Sequence, residues 1–384
     1  MSAQPLRTPP GRRAPAAALA PLLLALALAL AAGPSPALAR TVTDMAGRAV
    51  DIPERVERVI CSGAGCLRLL TYLQAQGMAV AVDSVELRET AIETRPYGIA
   101  NPQFKALPLF GELRGRDNPE LIVGLDPAPQ VIFKVMIAGE SLDPDQLQAK
   151  TGIPVVVLEY GNLSAGRPLL DAALRLMGEV VHRAGRAEEV VALFDSWQAD
   201  LAARTAGIPE DRRPWCYVGG ISMKGTHGMQ STEPTYPPFR MAGARNVAHT
   251  QATEGRDQVR TGVPKEQIVA WDPEVLFLDV SSTSMGEDAG GLHELRTDPA
   301  LSMLRAVRAG EVYGVLPYNS YHTNYGSIFA NAYFVGKILH PGRFADVDPA
   351  ATADAIYTAL VGQPVFGRIS RSFPGLVFAR VPLR

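Results

Sequence analysis

The sequence predicts an α/β fold: two similar α/β lobes joined by a long helix, with a ligand cleft between them. Three observations carry that prediction. Short apolar strands alternate with helical segments, the pattern of a sheet covered on both faces. A short unit occurs twice, "ELIVGLDP" at 120–127 and "EQIVAWDP" at 266–273, with Glu, Ile, Val, Asp and Pro at identical spacing. Between the copies, residues 165–207 keep helical periodicity for most of their length.

The N-terminus fixes the compartment. Arg7, Arg12 and Arg13 precede an apolar run over 14–32, and "GPSPALA" follows with Ala37 and Ala39 flanking Leu38. A basic region, an apolar region and an A-x-A ending make a secretory signal peptide, with cleavage expected after Ala39. The run is long enough to span a bilayer, but Pro15, Pro21 and the A-x-A ending favour cleavage. The mature chain is then exported to the periplasm, with 34 basic against 39 acidic residues. That balance leaves no electrostatic footprint for nucleic acid. Its length exceeds what one core usually holds, so two domains are expected: an N-terminal lobe over 40–164, a connecting helix over 165–207 and a C-terminal lobe over 208–384. Cys61, Cys66 and Cys216 lack the CxxC spacing of redox and zinc motifs. They read as buried small residues, with a Cys61–Cys66 bridge as the less favoured alternative.

The elements follow in order. "TVTDMAGRAVDIP" (41–53) alternates and turns at Ala46-Gly47, a β-hairpin. "VERVICS" is a buried strand, and "GAGCLRLLTYLQAQG" a helix with Leu67, Leu70 and Leu73 on one face, closed by Gly77. "MAVAV" is the next strand. Each repeat copy is a short helix halted by Asp-Pro before a strand, "QVIFKV" (130–135) or "EVLFLDV" (274–280). A helix of ~40 residues over 165–207 would reach about 60 Å, so it braces both lobes from outside, with a break expected near Ala184-Gly185. "PWCYVGGIS" (214–222) opens the second lobe. "VYGVLP" is a strand of that lobe, so "YNSYHTNYGS" lies at its carboxyl end, where α/β sheets bind ligands.

Candidate site residues cluster at such strand ends. In "CSGAGCLRLL", Ser62, Gly63 and Gly65 form either a turn that lets backbone and helix N-terminus approach an anion or an ordinary tight turn. Arg68 is expected on the solvent face of the following helix. "GGISMKGTHGMQSTEPTYPPF" (219–239) is too long for a simple connector, and brings Ser222, Lys224, Thr226, His227 and Tyr236 to a strand end. Arg256 and Arg260 precede the second repeat and suit an anionic ligand. Tyr318, Asn319, Tyr321 and His322 read as pocket lining, stacking faces with polar tips, and Asn324 or Ser320 as the cap of the next helix. Tyr97 is a candidate from the first lobe. No HxxxH, HxH or CxxC cluster accompanies His227 and His322, so no metal site is expected.

Taken in order, "TVTDMAGRAVDIP", "RVICSGAGCLRLLTYLQA", "NPELIVGLDPAPQVI", "PKEQIVAWDPEVLFL", "DPALSMLRAVRAGEVYGV" and "NAYFVGKILHPGRFADVDP" resemble the helical-backbone class of periplasmic substrate-binding proteins of ABC importers. The stretches cover nearly the whole mature chain. "YNSYHTNYGS" and the 219–239 loop look like its iron-complex or metal-type subgroup. The resemblance implies a rigid two-lobe receptor that hands its ligand to a membrane permease dimer, docking through an acidic residue on each lobe.

These readings converge on a binding protein rather than an enzyme, since neither a GxSxG elbow nor HExxH is present. An iron chelate of siderophore type is the first ligand expectation. A molybdate- or tungstate-type oxyanion is the second. Haem or a corrinoid, with His322 as axial ligand, comes next. A chelatase-like or hydrolytic enzyme, and an exported protein that kept the fold without a ligand, are the rival classes. No cofactor is expected, the chain is expected to act as a monomer, and a long helical strut predicts small lobe motion.

Overall fold

A computed structural model describes residues 1–4, 39–90, 92–136, 139, 141–222, 225–253 and 260–383. The apolar N-terminal run, Lys224 and Arg256 lie outside the described residues. No helix among the described residues is long and apolar enough to cross a membrane.

The hairpin forms as expected, from β1 (Ala39–Thr43) and β2 (Ala49–Pro53) with Val42 opposite Val50. Asp44 fastens it: its carboxylate accepts from the backbone of Ala46 and Arg48 in the turn and from Val157 on the neighbouring sheet. β3 (Val59–Ser62), helix α1 (Cys66–Tyr72), β4 (Ala79–Asp83), β5 (Leu109–Glu112), β6 (Arg116–Asp117), helix α2 (Pro119–Val123), β7 (Val131–Val135) and β8 (Val155–Leu158) follow. They build a sheet in the order β6-β5-β4-β3-β7-β8, parallel except where β6 meets β5. Helix α1 stops at Tyr72, before the expected Gly77, because Gln74 turns into left-handed backbone at φ 52°.

The predicted strut is two helices, α3 (Arg167–Val180) and α4 (Ala184–Thr205), broken at His182 with φ 55°. Arg167 bonds Asp195 and Gln198, and Arg175 pairs with Glu188, so the two run antiparallel as a hairpin. A single rod of ~60 Å is therefore not formed. Of the two, α4, about 33 Å at 1.5 Å per residue, reaches both lobes. Arg186 bonds the Tyr72 carbonyl in the first lobe, and Arg204 pairs with Asp346 in the second.

The second lobe carries β9 (Trp215–Gly219), β10 (Ser231–Thr232), β11 (Arg245–Asn246), β12 (Thr261–Gly262), helix α5 (Lys265–Trp271), β13 (Val275–Asp279) and β14 (Val312–Val315). Its main sheet, β11-β9-β13-β14, is all parallel. The repeat explains the likeness of the lobes: β7 lies between β3 and β8 as β13 lies between β9 and β14. The copies differ in their caps. Asn118 accepts from the Glu120 and Leu121 N–H groups at the start of α2, whereas α5 begins at Pro264 without a side-chain cap. Helix α6 (Tyr325–Leu339) is buried over most of its length. After α7 (Pro349–Val361) the chain returns to the first lobe, where Gln363 and Arg368 bond the carbonyls of Ala100 and Ile99.

Candidate functional site

The carboxyl ends of both sheets face one cleft, and the chain crosses it after β14. Tyr321 and His322 adopt left-handed backbone in succession, φ 47° and 71°, a conformation that costs a non-glycine residue roughly 1–3 kcal/mol. The first lobe holds them there. The Tyr321 hydroxyl donates to Asp83 at the end of β4 and accepts from the Arg114 N–H at 3.0 Å. The His322 ring packs on Tyr160 with centroids 4.0 Å apart. The Tyr160 hydroxyl donates to the Thr323 carbonyl at 2.8 Å, and that of Tyr325 to the Tyr160 carbonyl at 3.0 Å.

Arg68 completes the junction, and its place corrects the expectation of a solvent-facing side chain. It is 1% exposed. Its guanidinium donates to the carbonyls of Ser320 (3.1 Å), Tyr321 (2.9 Å) and Thr323 (2.9 Å) and to the Tyr160 hydroxyl (2.5 Å), and lies 4.8 Å from the Tyr97 ring centroid. Every residue of α1 from Cys66 to Tyr72 is buried, so no face of this helix is left to solvent.

Several predicted site residues serve packing instead. Ser62 is buried and accepts from Lys134 at 3.3 Å, a lysine that is itself buried and paired with Asp117. Gly63 and Gly65 need positive φ, 90° and 85°, and a Cβ on them would meet the Val135 carbonyl at 2.2 Å and the Tyr160 ring at 2.1 Å. Protein, not ligand, closes on both. Tyr97 donates to Glu86 at 2.6 Å, Tyr318 donates to Glu233, and Tyr236 accepts from Asn331 at 3.2 Å. All three rings are buried and offer no stacking face. Asn324 begins α6 but does not cap it with its side chain, which turns back to the carbonyls of Tyr318 and Ser320. Arg260 donates to Asn319 at 2.8 Å and lies 4.0 Å from Glu233. The backbone carbonyl of His227 accepts from Ser282 at 2.5 Å.

His322 is corrected in a second way. Burial first, then the charges of Arg68 and Arg260, lower its pKa to about 3, so the ring is neutral. Its Nδ1 accepts from the Thr323 N–H at 2.9 Å, which leaves the proton of the neutral ring on Nε2. In this arrangement Nδ1 is engaged by the backbone and Nε2 carries the proton, so His322 does not present a lone pair to a haem or corrinoid metal.

What the cleft does hold is a cavity of about 340 Å³ lined by Ile92 and Thr94 from the first lobe and by Ser222, Thr226, Ser281, Ser284, Pro317 and Ser320 from the second. Ser222, Ser281 and Ser284 donate to acceptors of the protein: the Gly225 carbonyl, the Asp279 carboxylate and the Ser281 carbonyl. Among the described residues, Thr94, Thr226 and Ser320 have no such side-chain partner, and their hydroxyl protons can turn into the cavity. Of the residues singled out from the sequence, Ser222 and Thr226 of the long loop line it, and so does Ser320, which was offered as a helix cap. Ser281 and Ser284 were legible from "DVSSTS" (279–284), which follows β13 at its carboxyl end. Asp279 itself is buried, with Oδ1 bonded to Ser281 and Oδ2 unpartnered. Burial lifts its pKa to about 7 against the pull of those bonds, and burial lifts Asp83 to about 7 against the Tyr321 bond. A second cavity, about 630 Å³, lies by His322 and Tyr160, with Met45, Val135 and Leu158 in its wall.

Two parallel sheets of matching order, joined by helices and facing each other across one cleft, are the frame of a two-lobed receptor. A family model described as "Periplasmic binding protein" matches residues 99–318. The chain belongs to the periplasmic binding proteins. As a member of that family it is a substrate-binding receptor of an ABC importer. It is 24% identical over 330 residues to the molybdate-binding protein MolA of Haemophilus influenzae, spanning 80% of this chain and 87% of MolA. The solved structure of MolA bound to molybdate aligns with a TM-score of 0.64 at 20% identity, covering 85% of this chain and 98% of that one. An ABC transporter solute binding protein from Sulfurospirillum deleyianum aligns at 0.62 with 19% identity, covering 88% and 99%. The TroA-like periplasmic binding protein FepB from Veillonella parvula aligns at 0.59 with 18% identity, covering 84% and 96%. At these identities the structural likeness speaks for the fold.

Proposed function

We propose that this binding protein carries a small oxyanion of molybdate or tungstate type to its permease. One observation bears most weight: the cleft cavity that both lobes line is small and walled by hydroxyls, three of them without a side-chain partner among the described residues. Its 340 Å³ sits at the low end of the ~300–1,000 Å³ usual for ligand pockets, tight for a siderophore chelate or haem. The tyrosine wall that favoured an iron chelate is folded into the protein. An oxyanion needs several short donors converging on it, which hydroxyls and backbone N–H groups supply. The relative named for molybdate binding supports the same choice. The larger cavity by His322 is walled chiefly by apolar side chains and suits a dianion poorly.

Docking follows from the repeat. Glu120 and Glu266 occupy equivalent positions in the two copies, each exposed in the first turn of its short helix. A pair of acids related by the pseudo-twofold of the lobes matches a permease built as a dimer, and we assign docking to them.

The test is isothermal titration of the purified chain with molybdate, tungstate, sulfate and a set of ferric chelates. Saturable molybdate or tungstate binding, weakened at least tenfold in a Thr226→Val, Ser320→Ala variant, is expected. Saturable binding of a ferric chelate with no heat from any oxyanion would refute the reading.

A further inference from the structure

Arg68 carries a full positive charge into the junction without an acid to neutralise it. Among the described residues no carboxylate lies within ion-pair distance of its guanidinium. Glu86, a carboxylate in its electrostatic surroundings, is already paired with Arg95 at 2.9 Å. Asp83 is taken by the Tyr321 hydroxyl. The guanidinium's partners are carbonyl and phenol oxygens and a ring face, which take bonds from its two terminal nitrogens, leave Nε without a partner, and do not cancel the charge. A buried unpaired cation is costly, so its retention at this place asks for a reason. One of its carbonyl partners, 3.1 Å away, belongs to Ser320, whose other side lines the hydroxyl cavity.

We propose that Arg68 is the fixed counter-charge of the cleft. It is a positioning residue that holds the 320–323 segment through backbone carbonyls, Ser320 of the cavity wall among them, and sets an unneutralised positive charge behind that wall. The pocket thereby selects a doubly charged anion over a singly charged one of the same shape. This rests on the oxyanion reading above. An anion against Ser320 would sit about 7 Å from the guanidinium, where an effective dielectric of ~20 gives roughly a 50-fold gain in affinity per unit of ligand charge. Arg68 touches no ligand, so its effect is on discrimination between charges rather than on contact.

Tungstate and perrhenate test this, because both are tetrahedral oxyanions of nearly equal size carrying two charges and one. In the wild-type protein, titration calorimetry should find tungstate bound roughly 50-fold more tightly than perrhenate. Arg68→Gln should shrink that ratio by roughly 50-fold, by the same Coulomb estimate. Arg68→Lys, which keeps the charge but loses the fork, should keep the ratio while weakening both anions. If Arg68→Gln weakens both anions equally and leaves the ratio unchanged, Arg68 is scaffold only and the proposal is overturned. Should Arg68→Gln fail to fold, the wild-type ratio decides, since equal binding of the two anions overturns the proposal without any variant. Wild-type protein that binds neither anion refutes the oxyanion reading itself, a different result from binding both alike.

Discussion

Gly65→Ala separates the two meanings of the glycine turn. If Gly65 exists to let a ligand approach the backbone, a methyl group there should lower ligand affinity and leave folding intact. The structure argues the reverse. Gly65 sits at φ 85° as the residue preceding α1, and its added Cβ would fall 2.1 Å from the Tyr160 ring. Left-handed backbone costs alanine about 1 kcal/mol, and forcing a methyl into a packed ring adds about 1–3 kcal/mol. A loss of about 3 kcal/mol is expected. Unfolding entropy near 2.1 cal/mol/K per residue gives a mature chain of ~345 residues about 0.7 kcal/mol/K, so Tm should fall by about 4 °C. Thermal denaturation by circular dichroism reads this directly. The partner is identified by combining Gly65→Ala with Tyr160→Leu: removing the ring should recover part of the loss, a non-additivity expected only between touching residues. A Gly65→Ala protein that melts within 1 °C of wild type and binds its ligand tenfold more weakly would refute the packing argument.

Asp279→Asn tests the buried carboxylate of the second lobe. Its pKa is raised to about 7 by burial, so between about pH 4 and 7 the folded state holds a proton that the unfolded chain has lost, and stability falls as pH rises through that window. The asparagine has no such dependence, so its denaturant stability relative to wild type should improve by about 2 kcal/mol from pH 5 to pH 8; a parallel pair of curves would refute the shift. Glu120→Lys and Glu266→Lys should each leave oxyanion affinity within twofold while reducing uptake in cells or permease-stimulated ATP hydrolysis in vesicles, and the double variant should abolish it. Normal transport by the double variant would remove both from the docking surface. All three cysteines are free and buried, so a thiol reagent should label none rapidly in the native protein and three after denaturation; one thiol after denaturation would reveal a Cys61–Cys66 bridge.

The strands were legible because a parallel sheet buried on both faces leaves continuous apolar runs, and each predicted strand named here falls on one: "VICS", "VIFKV", "VLFLD", "VYGV". The repeat was legible for the same reason in two places, since an apolar pair followed by Asp-Pro before such a run has few structural readings. The strut was less legible. The break expected near Ala184-Gly185 falls close by, at His182, but the local pattern does not show that the chain folds back there as a hairpin rather than running on as a kinked rod. The turn is set by tertiary contacts, the Gly178 position lying against Ala187 and the Arg175–Glu188 pair closing the fold-back.

The strand-end side chains are engaged by protein for a reason that bears on how such clefts work. Tyrosine and asparagine at a strand's carboxyl end look like ligand surface, and in this protein Tyr321 fastens the two lobes while Asn324 holds its own loop, with Arg68 of α1 reaching across to the same segment. Tyr321 is spent on Asp83 and the Arg114 backbone, Asn324 on its own loop, Arg68 on three carbonyls. Large polar side chains have the reach to bridge two lobes. Serine and threonine do not, and so remain at the cavity wall. Sequence reasoning weights residues by chemical versatility and therefore ranks the fasteners above the hydroxyls. The ordering reverses once geometry is known, because a side chain engaged by several protein partners has little left to offer a ligand. The same logic makes Arg68 informative: every donor it uses goes to protein, yet its charge is not cancelled, and charge acts at a distance where hydrogen bonds do not.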